Sequence, residues 1–316
     1  MGRLARLLDG LERVLALAEE RMLRDRAPAY DGDFFARHLA FRFEPSSDGG
    51  RLVGIPHPAL FALDDLVGVD RNVERLVRNT EQHVRGLPAN NALLYGERGT
   101  GKSSAVRGLL ARFGAQGLRM VEVHRDELVH LPHVLAAIAA DGGRHRFLLF
   151  VDDLSFGPGE AGYRELKAAL EGSLEGPPAS VRIVATSNRR HLLPESMADN
   201  RGAHVDEAGE LHLGEALDEK LALSDRFGLK LGFYPFDQDT YLAIVRHCLA
   251  RANVDISEGS ASGGGVPSWE CVRADALRFA LERASRSGRV ARQFADDLAG
   301  RLALERATAS TPDGER

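Results

Sequence analysis

Two cysteines, Cys248 and Cys271, are all that the 316-residue sequence contains. That is too few for a disulfide framework, and neither lies in a C-x-x-C pair, so both read as reduced residues of a cytoplasmic protein. No stretch reaches the roughly 18 apolar residues that a membrane-spanning helix needs. Charges recur through Met1–Arg26, so the N-terminus lacks the apolar run of a signal peptide. An excess of positive charge is missing as well. The formal net charge is −5, which excludes a global basic footprint for nucleic acid and leaves only local patches. No G-x-S-x-G nucleophile elbow occurs. His124, His130 and His133 come nearest to a metal cluster, but Pro132 lies among them and no cysteine is near, so they read as loop histidines. Hydrophobic residues at 44% and charged residues at 28% describe an ordinary soluble chain, long enough for one large domain or two modest ones.

Leu4–Arg24 carries leucine and alanine at helical spacing with charges between them, which predicts an amphipathic helix. Its interspersed acids suit packing or a subunit contact better than a membrane anchor. Glu44–Gly50 is turn chemistry and marks a boundary before the main body. Ser257–Pro267 is rich in Ser and Gly and reads as a flexible insertion, and the polar tail from Thr308 reads as frayed. Between these breaks, five short apolar runs predict buried strands: Ala92–Tyr95, Arg119–Val123, Phe147–Val151, Val181–Ala185 and Leu229–Phe233. Helical patterns such as Ser103–Phe113 and Ala161–Leu174 alternate with them, which predicts an α/β fold with a five-stranded parallel sheet. After Pro235 the strand signals stop, and Asp237–Ala252, Arg273–Arg286 and Arg289–Arg306 predict helices. The expected organisation is a helical segment 1–45, a linker 46–62, an α/β domain 63–235, a small helical domain 236–307 and a tail 308–316.

Gly96-Glu97-Arg98-Gly99-Thr100-Gly101-Lys102-Ser103 fits G-x-x-x-x-G-K-[ST] at every position. Glycines let backbone N–H groups turn inward around phosphates, where a side chain would block the approach. Lys102 offers a cation to β- and γ-phosphates, and the Ser103 hydroxyl is a natural Mg²⁺ ligand. Ser104 follows in the first turn of a helix whose N-terminal dipole faces the anion. An apolar strand enters the loop and a helical pattern leaves it, which is the context the pattern requires. A nucleoside triphosphate with Mg²⁺ is the expected ligand.

Hydrolysis also needs a carboxylate on the metal and a group that orients water. Phe147–Val151 is a continuous apolar run ending in Asp152-Asp153. Two carboxylates then stand at the C-terminal end of a buried strand, where open α/β sheets bind ligands. Asp152 is assigned to Mg²⁺, through an intervening water, and Asp153 to the attacking water.

With these motifs in this order, the chain resembles the AAA+ class of P-loop ATPases over most of Leu63–Arg306. The resemblance implies a first sensor at Asn188, in Thr186-Ser187-Asn188 after the fourth strand. It implies an arginine finger at Arg226, in Leu223-Ser224-Asp225-Arg226-Phe227, reaching a neighbouring subunit's nucleotide. It implies a second sensor in Ser287-Gly288-Arg289-Val290-Ala291-Arg292; Arg289 is favoured over Arg292. Leu66-Val67-Gly68-Val69-Asp70 looks like the segment that borders the adenine. ATP over GTP, a homo-oligomer joined through the ATP site, and the helical domain as a lid also come from this resemblance. Three stretches are similar to one bacterial AAA+ family known as domain of unknown function 815: Pro88–Tyr95, Asp152-Asp153-Leu154-Ser155-Phe156, and Ala185–Leu192.

The sequence departs from the class in two places. Most AAA+ motors place Glu after the metal-binding Asp, whereas here the residue is Asp153, one methylene shorter; slow basal hydrolysis is the expectation. Val121–Val134 lacks the aromatic–apolar–Gly loop of threading unfoldases, which favours a nucleotide-gated switch or loader. Arg189-Arg190-His191 is a small basic cluster, weak as a nucleic-acid contact in an acidic chain. Nothing in residues 1–60 identifies a client.

Overall fold

The structure is a computed structural model that describes residues 30, 33–46, 49–156, 161–171, 177–188, 204–205, 211–212, 223–257 and 266–309. The expected helix Leu4–Arg24, most of the Ser257–Pro267 insertion, the cluster Arg189-Arg190-His191 and the end of the tail lie outside those residues.

A short helix α1 (Phe34–Arg37) leads into β1 (Ala40–Glu44) and β2 (Arg51–Ile55), followed by β3 (Ala92–Gly96), β4 (Leu118–Glu122), β5 (Arg146–Val151) and β6 (Val181–Ser187). β7 (His204–Val205) and β8 (Leu211–His212) pair with each other, and β9 (Leu229–Phe233) closes the series. The main sheet has seven strands in the order β2-β1-β4-β5-β6-β3-β9. Every neighbouring pair is parallel except β1–β2.

The sequence predicts five strands, so the sheet is larger by two. Residues 40–55, read from the sequence as the end of a helical segment and a linker, form the additional hairpin. Its turn holds Gly49 and Gly50 at φ +102° and +100°, so the glycines reverse the chain within a sheet and do not separate two domains. Phe41 and Phe43 drive the strand inward, at 0% and 2% exposure. Phe41 lies in register with Val121 of β4.

Successive side chains of a strand point to opposite faces, and the core divides accordingly. Phe147, Leu149 and Val151 of β5 join one cluster with Val121, Ile183 and Ala185. Leu148 and Phe150 join another with Leu94, Met120 and Val184. Helices α2 (Asp70–Val84) and α3 (Lys102–Phe113) cover the second face through Leu76, Val106 and Leu109. Helices α4 (Leu131–Ala139) and α5 (Ala161–Glu171) cover the first through Leu131, Val134 and Leu166. A strand buried on both faces must be apolar at every position, which is why β5 reads as an unbroken run.

The C-terminal helices α6 (Gln238–Arg251), α7 (Trp269–Glu282) and α8 (Gly288–Ala309) enclose a third cluster built from Tyr241, Val245, Ala276 and Phe294. The expected helix Arg273–Arg286 lies four residues earlier. Ser268 caps it by accepting from the Cys271 N–H at 3.4 Å, and Ala284 beyond its end adopts φ +48°. Among the described residues, no helix is long and apolar enough to cross a membrane.

Candidate functional site

β3 delivers the glycine-rich loop. Its last residue, Gly96, has φ +126°, and a Cβ there would stand 1.9 Å from the Phe233 carbonyl oxygen of β9. That oxygen also accepts from the Glu97 N–H at 3.0 Å. The loop therefore leaves the sheet at a point where only glycine fits. It ends at Gly101, the N-cap of α3, with φ +100°.

Lys102 is 6% exposed. Its ammonium donates to the Gly96 carbonyl at 2.8 Å, the Glu97 carbonyl at 2.6 Å and Asn188 Oδ1 at 3.1 Å. Burial pushes its pKa below the ordinary lysine value, Arg289 pushes it the same way, and the carboxylates of Asp153, Asp152 and Glu97 pull it back up. A buried cation whose partners include two carbonyl oxygens of a glycine loop is suited to exchange them for an anion's oxygens.

The end of β5 carries the acids. Asp152 Oδ1 accepts from the Ser103 hydroxyl at 2.6 Å and from the Thr186 hydroxyl at 2.5 Å. Asp153 has φ +52°, a left-handed conformation that Asp tolerates better than most residues. Its N–H donates to Thr186 Oγ1 at 2.9 Å, and its carboxylate accepts from Asn188 Nδ2. Asn188 therefore joins Lys102 to Asp153.

These groups line one cavity of about 650 Å³, together with Arg98–Ser104, Leu66, Val67, Phe236, Arg289 and Arg292. Gly96 and Glu97 shape the base of the loop without lining the cavity. The helical part closes one side: the Arg289 N–H donates to the Gly99 carbonyl at 3.3 Å, placing the start of α8 directly against the loop. Arg226 is not in this cavity; it pairs with Glu171 of α5 at 2.7 Å. Thr186, Phe236, Ile244 and Cys248 line the cavity but have no role assigned from sequence. Thr186 had a signal, a polar residue at the end of an apolar strand beside the acidic one. The other three sit in helical or connecting segments whose pattern only reports a core.

The donor set fits a nucleotide with a hard divalent cation. Among the described residues, no group of three or more His, Cys, Asp or Glu could hold a metal alone. A hydroxyl and one carboxylate, completed by water and substrate phosphates, is the manner in which Mg²⁺ is commonly held.

The profile of the family described as a protein of unknown function, DUF815, matches residues 36–302. The chain belongs to the DUF815 family. No protein of curated function matches its sequence. Among solved structures, a point mutant of Thermotoga maritima RuvB is 16% identical, with a TM-score of 0.50 over 78% of this chain and 67% of that one. The Aeropyrum pernix Orc1 protein in complex with DNA is 19% identical, with a TM-score of 0.50 over 79% of this chain. This chain covers 63% of that Orc1 structure, just under two thirds of its length. The seven-stranded, mostly parallel α/β fold of this DUF815 chain resembles that of these P-loop ATPase structures.

Proposed function

We propose that the protein binds ATP with Mg²⁺ in the cavity at the strand ends and hydrolyses it slowly to ADP and phosphate. The observation that carries this reading is the Ser103–Asp152 hydrogen bond of 2.6 Å beside the buried Lys102. Backbone N–H groups of Gly99–Gly101 and Lys102 would receive the β- and γ-phosphates, with Lys102 trading its loop carbonyls for phosphate oxygens. Ser103 and Asp152 would hold Mg²⁺, which supplies positive charge to the transferring phosphoryl group. Asp153 orients the attacking water, and Asn188 reports on it from the neighbouring strand. Arg289, on the helix that touches Gly99, closes the helical part over the phosphates as a lid. Arg226, held outside the cavity by Glu171, serves the site of an adjacent copy in a homo-oligomer.

A second reading is a nucleotide-dependent adaptor or loader for a nucleic-acid machine, in which binding matters more than turnover. Asp153 favours it: the carboxylate is one methylene short and already engaged by Asn188. The same assay distinguishes the two. Phosphate release and nucleotide binding are measured for the wild type, Lys102→Ala and Arg226→Ala, with and without Mg²⁺. Lys102→Ala is expected to lose binding. Arg226→Ala is expected to keep binding and to lose about 10³-fold in turnover, the scale of an arginine finger. Tight binding without release leaves the adaptor; absence of both overturns the site.

A further inference from the structure

Thr186 is 1% exposed, and it grips three consecutive residues at the end of β5. Its hydroxyl donates to Asp152 Oδ1 at 2.5 Å and accepts from the Asp153 N–H at 2.9 Å. Its carbonyl accepts from the Leu154 N–H at 2.7 Å. The side chain stands on β6, which lies beside β5 in the sheet. Being β-branched, threonine holds few rotamers, so its hydroxyl is fixed by the strand and not by the site it serves.

Two consequences follow from this one oxygen. Asp152 Oδ1 receives two hydroxyl donors, from Ser103 and Thr186, which occupies both of its lone pairs and leaves ligation of a cation to Oδ2. The left-handed turn at Asp153, φ +52°, is secured by the N–H bond to the same hydroxyl. That turn aims the Asp153 carboxylate at Asn188. Because the hydroxyl donates on one side and accepts on the other, the two bonds polarise each other.

We propose that Thr186 is a positioning residue that sets the Asp152 and Asp153 carboxylates relative to each other, so that one faces Mg²⁺ and the other the attacking water. The proposal rests on the reading of the cavity as a Mg²⁺–ATP site. It goes beyond the motif roles, because no step needs Thr186 to touch nucleotide or metal. It also suits aspartate at position 153, because Asp is among the residues that adopt the left-handed conformation most readily.

The test compares Thr186→Val, which keeps the shape and removes the hydroxyl, with Thr186→Ser, which keeps the hydroxyl. A fluorescent ADP analogue is titrated at fixed concentration against Mg²⁺, and phosphate release is followed separately. Loss of a partner behind a metal ligand weakens metal affinity or activity by about 10–100-fold. Thr186→Val is therefore expected to raise the Mg²⁺ midpoint for ADP binding about 10-fold and to lower kcat by a similar or larger factor, with metal-free ADP binding unchanged. Thr186→Ser is expected to recover most of both. A merely structural threonine would lower the melting temperature without moving the Mg²⁺ midpoint. An unchanged midpoint and kcat in a cooperatively melting Thr186→Val overturns the proposal. If that variant does not melt cooperatively, the same titration on Thr186→Ala decides. Wild type that binds no nucleotide with Mg²⁺ overturns the reading of the cavity itself, a separate result.

Discussion

His83 provides a pH dependence of stability that can be worked from its surroundings. It lies in α2, is 2% exposed, and its Nε2 donates to the Phe147 carbonyl of β5 at 3.1 Å. Burial disfavours the imidazolium, and the guanidinium groups of Arg182 and Arg146 disfavour it further, so the pKa falls from 6.5 to about 4. The folded pKa lies below the unfolded one, so between these values the unfolded chain binds more protons. Stability is therefore complete above about pH 6.5 and is lost as pH falls towards about 4. A shift of about 2.5 units corresponds to about 3 kcal/mol in full, of which about 2 kcal/mol is already lost at pH 5. The perturbation is His83→Gln, whose side-chain amide can still donate to Phe147 but does not titrate in this range. Urea unfolding followed by circular dichroism, from pH 7.5 to pH 4.5, gives the difference between wild type and variant at each pH. Many carboxylates titrate in both proteins, and their contribution cancels in that difference. The expected outcome is a wild-type disadvantage that grows to about 2 kcal/mol by pH 5. Parallel curves through pH 5 would refute the account of His83 as a neutral buried imidazole.

Two further outcomes follow from the geometry. Gly96→Ala forces a Cβ towards the Phe233 carbonyl, 1.9 Å away, at φ +126°, and is expected to cost at least about 3 kcal/mol; a melting temperature equal to wild type contradicts the tight exit of the loop. Cys248 lines the cavity, and burial raises its thiol pKa, whereas Cys271 is exposed. Iodoacetamide at neutral pH is expected to modify Cys271 first, and ADP with Mg²⁺ to slow Cys248 further. Equal rates by mass spectrometry, unaltered by nucleotide, would place Cys248 away from the bound ligand.

The centre of the molecule was legible because its signals are local. An unbroken apolar run ending in two acids, placed after a glycine loop, reads as a buried strand opening onto a ligand, and the glycine loop carries its own geometry. All five expected strands occur in the sheet. The hairpin of β1 and β2 was not legible, since Pro45, Gly49 and Gly50 mark a reversal of direction without saying whether both arms belong to one sheet. The clustering of Lys102, Ser103, Asp152, Asp153 and Asn188 was legible too, because all stand just beyond the C-terminal ends of three adjacent parallel strands. Thr186 escaped notice for a different reason. Its value lies in one hydroxyl reaching two residues of another strand, a relation between registers that no single segment encodes. The walls given by Phe236 and Ile244 come from the helical part, whose spacing reports a core and nothing about which cavity it borders.

On the proposed reading of the cavity, the contact between the Gly99 carbonyl and the Arg289 N–H would make a bound nucleotide a reporter on whatever engages the C-terminal helices. Linkage is reciprocal: a client that tilts α8 and weakens the loop by about 1.4 kcal/mol lowers nucleotide affinity about tenfold, and the nucleotide must weaken that client by the same factor. On that reading a partner would be sought without knowing its identity, by the shift it imposes on nucleotide affinity, and its own affinity would be tuned by supplying or withdrawing ATP.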